Sequence, residues 1–146
     1  MIEDILNKIE LHQKRAQAAI NEIKEWKSLD SAIFKDFEKV KMIDSFIYRF
    51  TKIQDLMGNK LFKLFLDLLG EYEDTMSLLD VLDKLEKFGI IDNSDQWMEY
   101  RNLRNILTYE YPDCEEEIIE GIQKAMVAFE EIEKILDTIK NHKALR

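Results

Sequence analysis

A chain of 146 residues with only 4 Gly and 1 Pro has few places to turn. Glycine and proline are the strongest local interrupters of regular structure, so their scarcity demands long, unbroken elements. The spacing of apolar residues says that these elements are helices. From the N-terminus, Ile2, Ile5, Ile9, His12, Ala16, Ala19, Ile23 and Trp26 follow alternating steps of three and four, which is one face of a helix. His12 is the single polar break in that stripe and reads as a tolerated packing residue.

The rest of the chain continues the pattern. Ser28-Leu29-Asp30-Ser31 ends the first helix and caps a second, expected from about Ala32 to the Leu69-Gly70 corner, with Gly58-Asn59 as a bend or break. Its apolar side carries Ile33, Phe37, Val40, Ile43, Phe46, Ile47, Phe50, Ile53, Met57, Leu61, Leu64 and Leu68. Beside it runs a polar strip of Asp44, Tyr48, Thr51 and Asp55, either a solvated face or the wall of a polar cleft. Ser77 opens a short helix with Leu78, Leu79, Leu82, Leu85 and Phe88, closed by Gly89. Asp92-Asn93-Ser94 caps a fourth helix from about Asp95 to Tyr109, which Tyr111-Pro112-Asp113 stops. Asp113 and Glu116 form a capping opener for the last helix, with Glu115, Glu116 and Glu117 at its positive end. That helix runs through Ile118, Ile122, Met126, Phe129, Ile132 and Leu136 to about Asn141. The expected fold is one all-α domain over residues 1–146, an antiparallel bundle of about five helices.

Apolar residues at 46% and charged residues at 35% exclude both a disordered chain and a membrane-embedded one. No run of about 18 uncharged apolar residues is present to span a bilayer. The acidic, amphipathic start is unlike a secretory signal. Cys114 is a lone cysteine, so no intrachain disulfide forms and a reducing cytoplasm is the expected location. His12 and His142 sit at opposite ends, which leaves no Cys/His cluster for a metal or haem, and no cofactor is expected. With 30 acids against 21 bases the net charge is −9, so general attraction to nucleic acid is excluded and any RNA contact needs a local basic pocket. Net charge alone favours protein partners.

The fourth helix is the exception to this bland surface. Two arginines, two asparagines and three tyrosines fall between Tyr100 and Tyr111. Trp97, Arg101, Arg104 and Thr108 share one face, which brings two guanidinium groups together. Such a pair repels unless an anion or carboxylates lie between its members. A phosphate fits, because its oxygens match the planar fork. Pairing of Arg101 and Arg104 with Asp44 or Asp55 of the second helix fits equally well.

Arg104-Asn105-x-x-x-Tyr109-Glu110-Tyr111-Pro112 resembles the arginine, asparagine, spacer, histidine, acidic, tyrosine signature of HEPN-domain proteins, and among them the HepT-like branch. The stretches Asp44 to Asp55 and Leu85 to Ile91, and the Trp97 region, are also similar to that branch, so the resemblance covers most of the chain. It implies a homodimeric helical bundle whose signature helices line a cleft between protomers. It also implies a toxin that cleaves RNA without a metal, encoded beside a nucleotidyltransferase antitoxin. On that pattern Arg104 and Asn105 belong to the catalytic site, Arg101 and Arg104 bind RNA, and Tyr111 matches the tyrosine that receives AMP from the partner in some members, although a tyrosine packed at a helix end fits that position equally well.

The chain departs from the family where chemistry depends on it most. Tyr109 occupies the histidine position. A phenol with a pKa near 10 stays protonated at neutral pH, donates a hydrogen bond and serves poorly as a general base. Catalysis by the usual route should fall by roughly 10²–10⁴-fold. The alternative implied by Tyr109 is a non-enzymatic helical binding partner of the nucleotidyltransferase.

Overall fold

The computed structural model describes residues 1–109 and 114–146, with the backbone alone at Tyr109. Every regular element among the described residues is helical: α1 (Ile2–Glu25), α2 (Phe37–Leu56), α3 (Phe62–Leu68), α4 (Leu78–Lys87), α5 (Ser94–Tyr109) and α6 (Glu115–Lys140), with 3₁₀ turns at Ser31–Lys35 and Lys143–Leu145. A π-helical turn, Met57–Leu61, joins α2 to α3, so these form one rod and the bundle has five. Among the described residues no helix is long and apolar enough to cross a membrane.

Local chemistry sets most of the boundaries. The α1 stripe is buried as its spacing requires, at Ile2, Ile5, Ile9, Ala16, Ala19 and Ile23. The Asp30 side chain accepts from the Ala32 N–H, but the turn it opens is only the 3₁₀ segment. Asp36 then accepts from the Glu38 and Lys39 N–H groups and starts α2 at Phe37. The expected start at Ala32 is therefore corrected by a second cap six residues on. The correction moves Phe37 to the first turn, where it is 72% exposed rather than in the core. Leu68, Leu79 and Phe88 are likewise exposed.

Gly58-Asn59 does interrupt the second helix, as a π turn with Phe62 N–H bonded to the Met57 carbonyl. The wider turn re-phases the rod, burying Met57, Gly58, Leu61 and Phe62 in one short stretch. Ser77 and Asp80 form a reciprocal capping box at α4. Gly70 and Gly89 take φ of 72° and 73° after α3 and α4, where only glycine is unstrained. Glu115, Glu116 and Glu117 fill the first turn of α6, but Cys114 holds the N-cap position without a side-chain cap bond. That start is one residue later than a cap at Asp113 implies. Asp113 and the Tyr111-Pro112 stop lie outside the described residues.

The core joins Phe46, Phe50, Phe62, Phe65, Trp97 and Phe129, all at 2% exposure or less. Burial of each such side chain contributes about 1.5–3 kcal/mol. Trp97 meets Phe62 edge-on, with centroids 4.8 Å apart. Along α2 and α5, Thr51 meets Thr108 and Gln54 meets Tyr100, while the π turn's Gly58 meets Trp97, so the two helices run antiparallel. Leu107 against Gly121 and Tyr100 beside Glu131 set α5 and α6 antiparallel too.

Candidate functional site

The α2–α5 seam grades from apolar to polar along its length. Trp97 closes the buried end against Phe62. One turn on, the buried Gln54 amide donates to the Tyr100 carbonyl at 3.1 Å. Next, Arg104 Nη1 donates to Asp55 Oδ1, and Arg104 Nε donates to Asn105 Oδ1 at 3.2 Å. At the open end the Thr51 and Thr108 hydroxyls face each other at 3.5 Å. Of the polar strip on α2, Thr51 and Asp55 thus wall the seam, while Asp44 and Tyr48 point to solvent.

Arg104 is the cation this seam is built around. Its side chain is 15% exposed, against 39% for Asp55. One carboxylate and one amide occupy two of its five N–H donors, so the guanidinium keeps donors for another anion. The same-face pattern at Trp97, Arg101, Arg104 and Thr108 resolves unevenly. Arg104 pairs with Asp55 as the carboxylate alternative allows, whereas Arg101 has no ion pair among the described residues and Asp44 has none either.

α5 stays α-helical to Tyr109. Five residues turn an α-helix by about 140°, so the backbone positions 104 and 109 are separated by that angle about the α5 axis. Tyr111 and the Tyr109 side chain lie outside the described residues. Among the described residues no three His, Cys, Asp or Glu side chains gather as metal ligands would.

The remaining tyrosine of α5 is structural. Tyr100 is buried toward α6, and its pKa is raised, by burial first and then by Glu131, Glu99 and Asp92. Sequence reasoning also missed a contact between α1 and α2. Arg49 Nη1 donates to His12 Nδ1 at 2.9 Å, so His12 is a hydrogen-bonded group at a half-buried contact and not apolar packing. Its pKa is lowered by burial and then by the charges of Arg49, Lys52 and Arg15. The signal was present as a histidine interrupting an apolar stripe, but its partner lies 37 residues away.

The chain matches no known family model, and a search of curated proteins finds no significant match.

Proposed function

We propose that this chain is the toxin-type component of a pair with a nucleotidyltransferase: a HEPN-like homodimer whose α2–α5 seam engages an RNA phosphodiester, with Tyr109 at the position of the catalytic histidine. The observation that carries the reading is the mostly buried Arg104 guanidinium, fixed between Asp55 and Asn105 in an otherwise acidic chain. The resemblance of the Arg104 to Pro112 segment to the HepT-like signature supplies the reaction class.

In metal-independent RNA cleavage the ribose 2′-oxygen attacks the adjacent phosphorus and the 5′-oxygen leaves. The 2′-proton needs an acceptor, the leaving oxygen needs a proton, and the charge growing on the phosphoryl oxygens needs a fixed cation. Arg104 suits the last role, since Asp55 and Asn105 orient it before a substrate arrives. Arg101, with no ion pair among the described residues, suits a neighbouring phosphate. Asn105 is exposed beside Arg104 and suits an orienting role. Tyr109 supplies a hydrogen-bond donor where a base is required, which impairs the reaction without removing the phosphate site. Tyr111 is the proposed acceptor of AMP from the nucleotidyltransferase.

The dimer surface proposed here runs over α5 and α6. A groove of about 520 Å³ there is lined by Leu103, Ile106, Val127 and Ala128 together with the charged Glu99, Lys124 and Glu131, and Val127 is exposed. A second copy laid on it would bring a facing surface to the end of α5, as the 140° separation of Arg104 and residue 109 requires. The second reading, a non-enzymatic partner of the nucleotidyltransferase, is favoured by Tyr109 itself and keeps the same dimer.

The test is binding of a short single-stranded RNA by the intact protein. Arg104→Ala should weaken it at least about tenfold, the 1.4 kcal/mol that one charge-assisted contact supplies, whereas Lys14→Ala on α1 should leave it unchanged. Equal losses from both substitutions would show that binding is diffuse and that Arg104 is only a structural partner of Asp55.

A further inference from the structure

A second cationic cluster lies where α1 crosses α2, apart from Arg104. Because Arg49 donates to His12 Nδ1, that nitrogen keeps its lone pair and the His12 proton resides on Nε2. The Arg49 guanidinium carbon lies 4.9 Å from the Tyr48 ring centroid and Lys52 Nζ lies 5.5 Å from the same centroid. His12 meets that ring edge-on at 6.4 Å. Arg15 and Arg49 line a shared groove between the helices, with Glu22 and Glu25 also along it. Every charge that acts appreciably on His12, namely Arg49, Lys52 and Arg15, is a cation.

Among the described residues, none of Arg15, Arg49 and Lys52 has a carboxylate within ion-pair distance, whereas Lys14, Lys84 and Arg104 all do. In a chain of net charge −9 these three cations gather around His12, with the Glu22 and Glu25 carboxylates further along the groove. Like charges so placed repel one another until an anion joins them. Tyr48 adds a ring that is 50% exposed, with Arg49 and Lys52 over it, so a base would stack on the part these cations leave open. Cations that track a backbone, with an aromatic face for a base, are how unpaired nucleic acid strands are held. A small anion would have no use for the ring. Tyr48 also shares its strip of α2 with Thr51 and Asp55, and Asp55 is seven residues, or about 10 Å, further along. The cluster thus lies about 10 Å along α2 from Asp55, the partner of Arg104.

We propose that Arg15, Arg49 and Lys52, with Tyr48 as a stacking platform, form a second phosphate-binding subsite that holds single-stranded RNA beside the Arg104 seam. The choice of RNA rests on the function proposed above; the unpaired cations and the exposed ring do not.

The chain's two histidines provide the readout. His142 is the internal control, since its Nδ1 accepts from the Ala144 N–H and its ring packs on Phe65. Phosphates bound at the cluster would offset the cations acting on His12, so a short oligoadenylate should raise the His12 pKa in an NMR titration and leave His142 unmoved. The double variant Arg15→Gln/Lys52→Gln keeps the Arg49–His12 bond. It should weaken oligoadenylate binding at least about tenfold and reduce the salt slope by about 1.4, the single-strand value for two lost contacts. An unmoved His12, or undiminished binding by the double variant, overturns the subsite. So does inorganic phosphate that matches the oligoadenylate at equal phosphate concentration, because it would reveal an anion site indifferent to the strand. If Arg104→Ala weakens binding and the double variant does not, this subsite fails while the Arg104 reading stands. The opposite result upholds the subsite and removes the Arg104 reading.

Discussion

Gly121 on α6 packs closely on α5, and replacing it by alanine probes the placement of that helix. The added Cβ would stand 2.9 Å from Leu107 Cδ2, with Leu107 Cγ at 3.6 Å and Leu103 Cδ1 at 3.7 Å. The shortest of these is well inside the usual carbon–carbon contact of about 3.5–4.0 Å. Leu107 is buried, so its methyl has no solvent to turn into. Either its rotamer changes or α5 shifts by some tenths of an ångström. Overpacking of this kind costs about 1–3 kcal/mol, and the better helix propensity of alanine offsets about 1 kcal/mol of it. The close approach should win, leaving a net loss of about 1 kcal/mol, or roughly 2–4 °C in Tm for a chain of this size. Urea denaturation followed by far-UV circular dichroism measures this directly, with m unchanged if the folded state stays intact. Leu107→Ala alone should cost about 2–5 kcal/mol. In the Gly121→Ala background its vacated space admits the new methyl, so the double variant should be more stable than the sum by at least about 1 kcal/mol. A Gly121→Ala variant that gains stability, with additive behaviour beside Leu107→Ala, would refute the close packing that positions Arg104.

Three further outcomes follow from the seam and its surroundings. Asp55→Asn removes the carboxylate competing with phosphate for Arg104, so RNA affinity should rise about three- to tenfold, with stability falling by about 1 kcal/mol, between the values for exposed and buried pairs; weaker RNA binding in filter or fluorescence assays would contradict this. The folded-state pKa of His12 is lowered from 6.5, so the unfolded chain takes up its proton first as pH falls; stability should be full above that value and decline as pH drops through the folded pKa. Denaturation midpoints across that range should show a shallower decline in His12→Gln, and identical slopes would remove the linkage. Sedimentation at micromolar concentration should show a homodimer that Val127→Glu dissociates, whereas a monomeric parent protein would leave the shared cleft without a basis.

The sequence-local parts of this fold were the legible ones. The α1 stripe, the Ser77 cap, the Gly70 and Gly89 turns and the acidic start of α6 each depend on residues within one turn of one another. The start of α2 was misplaced because Asp30 and Asp36 are both good caps, and nothing within the segment ranks them. The π turn needed more than the Gly58-Asn59 signal, since its register follows from burying Met57, Leu61 and Phe62 against other helices. At the site, the spacing of Arg101 and Arg104 put both on one face, but only the antiparallel register of α2 and α5 decides that Asp55 meets Arg104 and not Arg101. The Arg49–His12 contact was invisible for the same reason. Tertiary register, not local pattern, brings α1 and α2 together there.

The most direct test of the proposed function is restoration of the missing base. The protein as it stands should show little RNase activity in the presence of EDTA, and Tyr109→His, assayed as the dimer under the same conditions, should raise it by at least about a hundredfold, the low end of a general-base contribution. On the proposed reading Arg104 and Asn105 supply the phosphate contacts, and the acceptor for the 2′-proton is the group that Tyr109 leaves missing. Abolition of the gained activity by Arg104→Ala would tie it to the seam. A Tyr109→His dimer as inert as its parent would contradict the account and leave the non-enzymatic partner as the better reading.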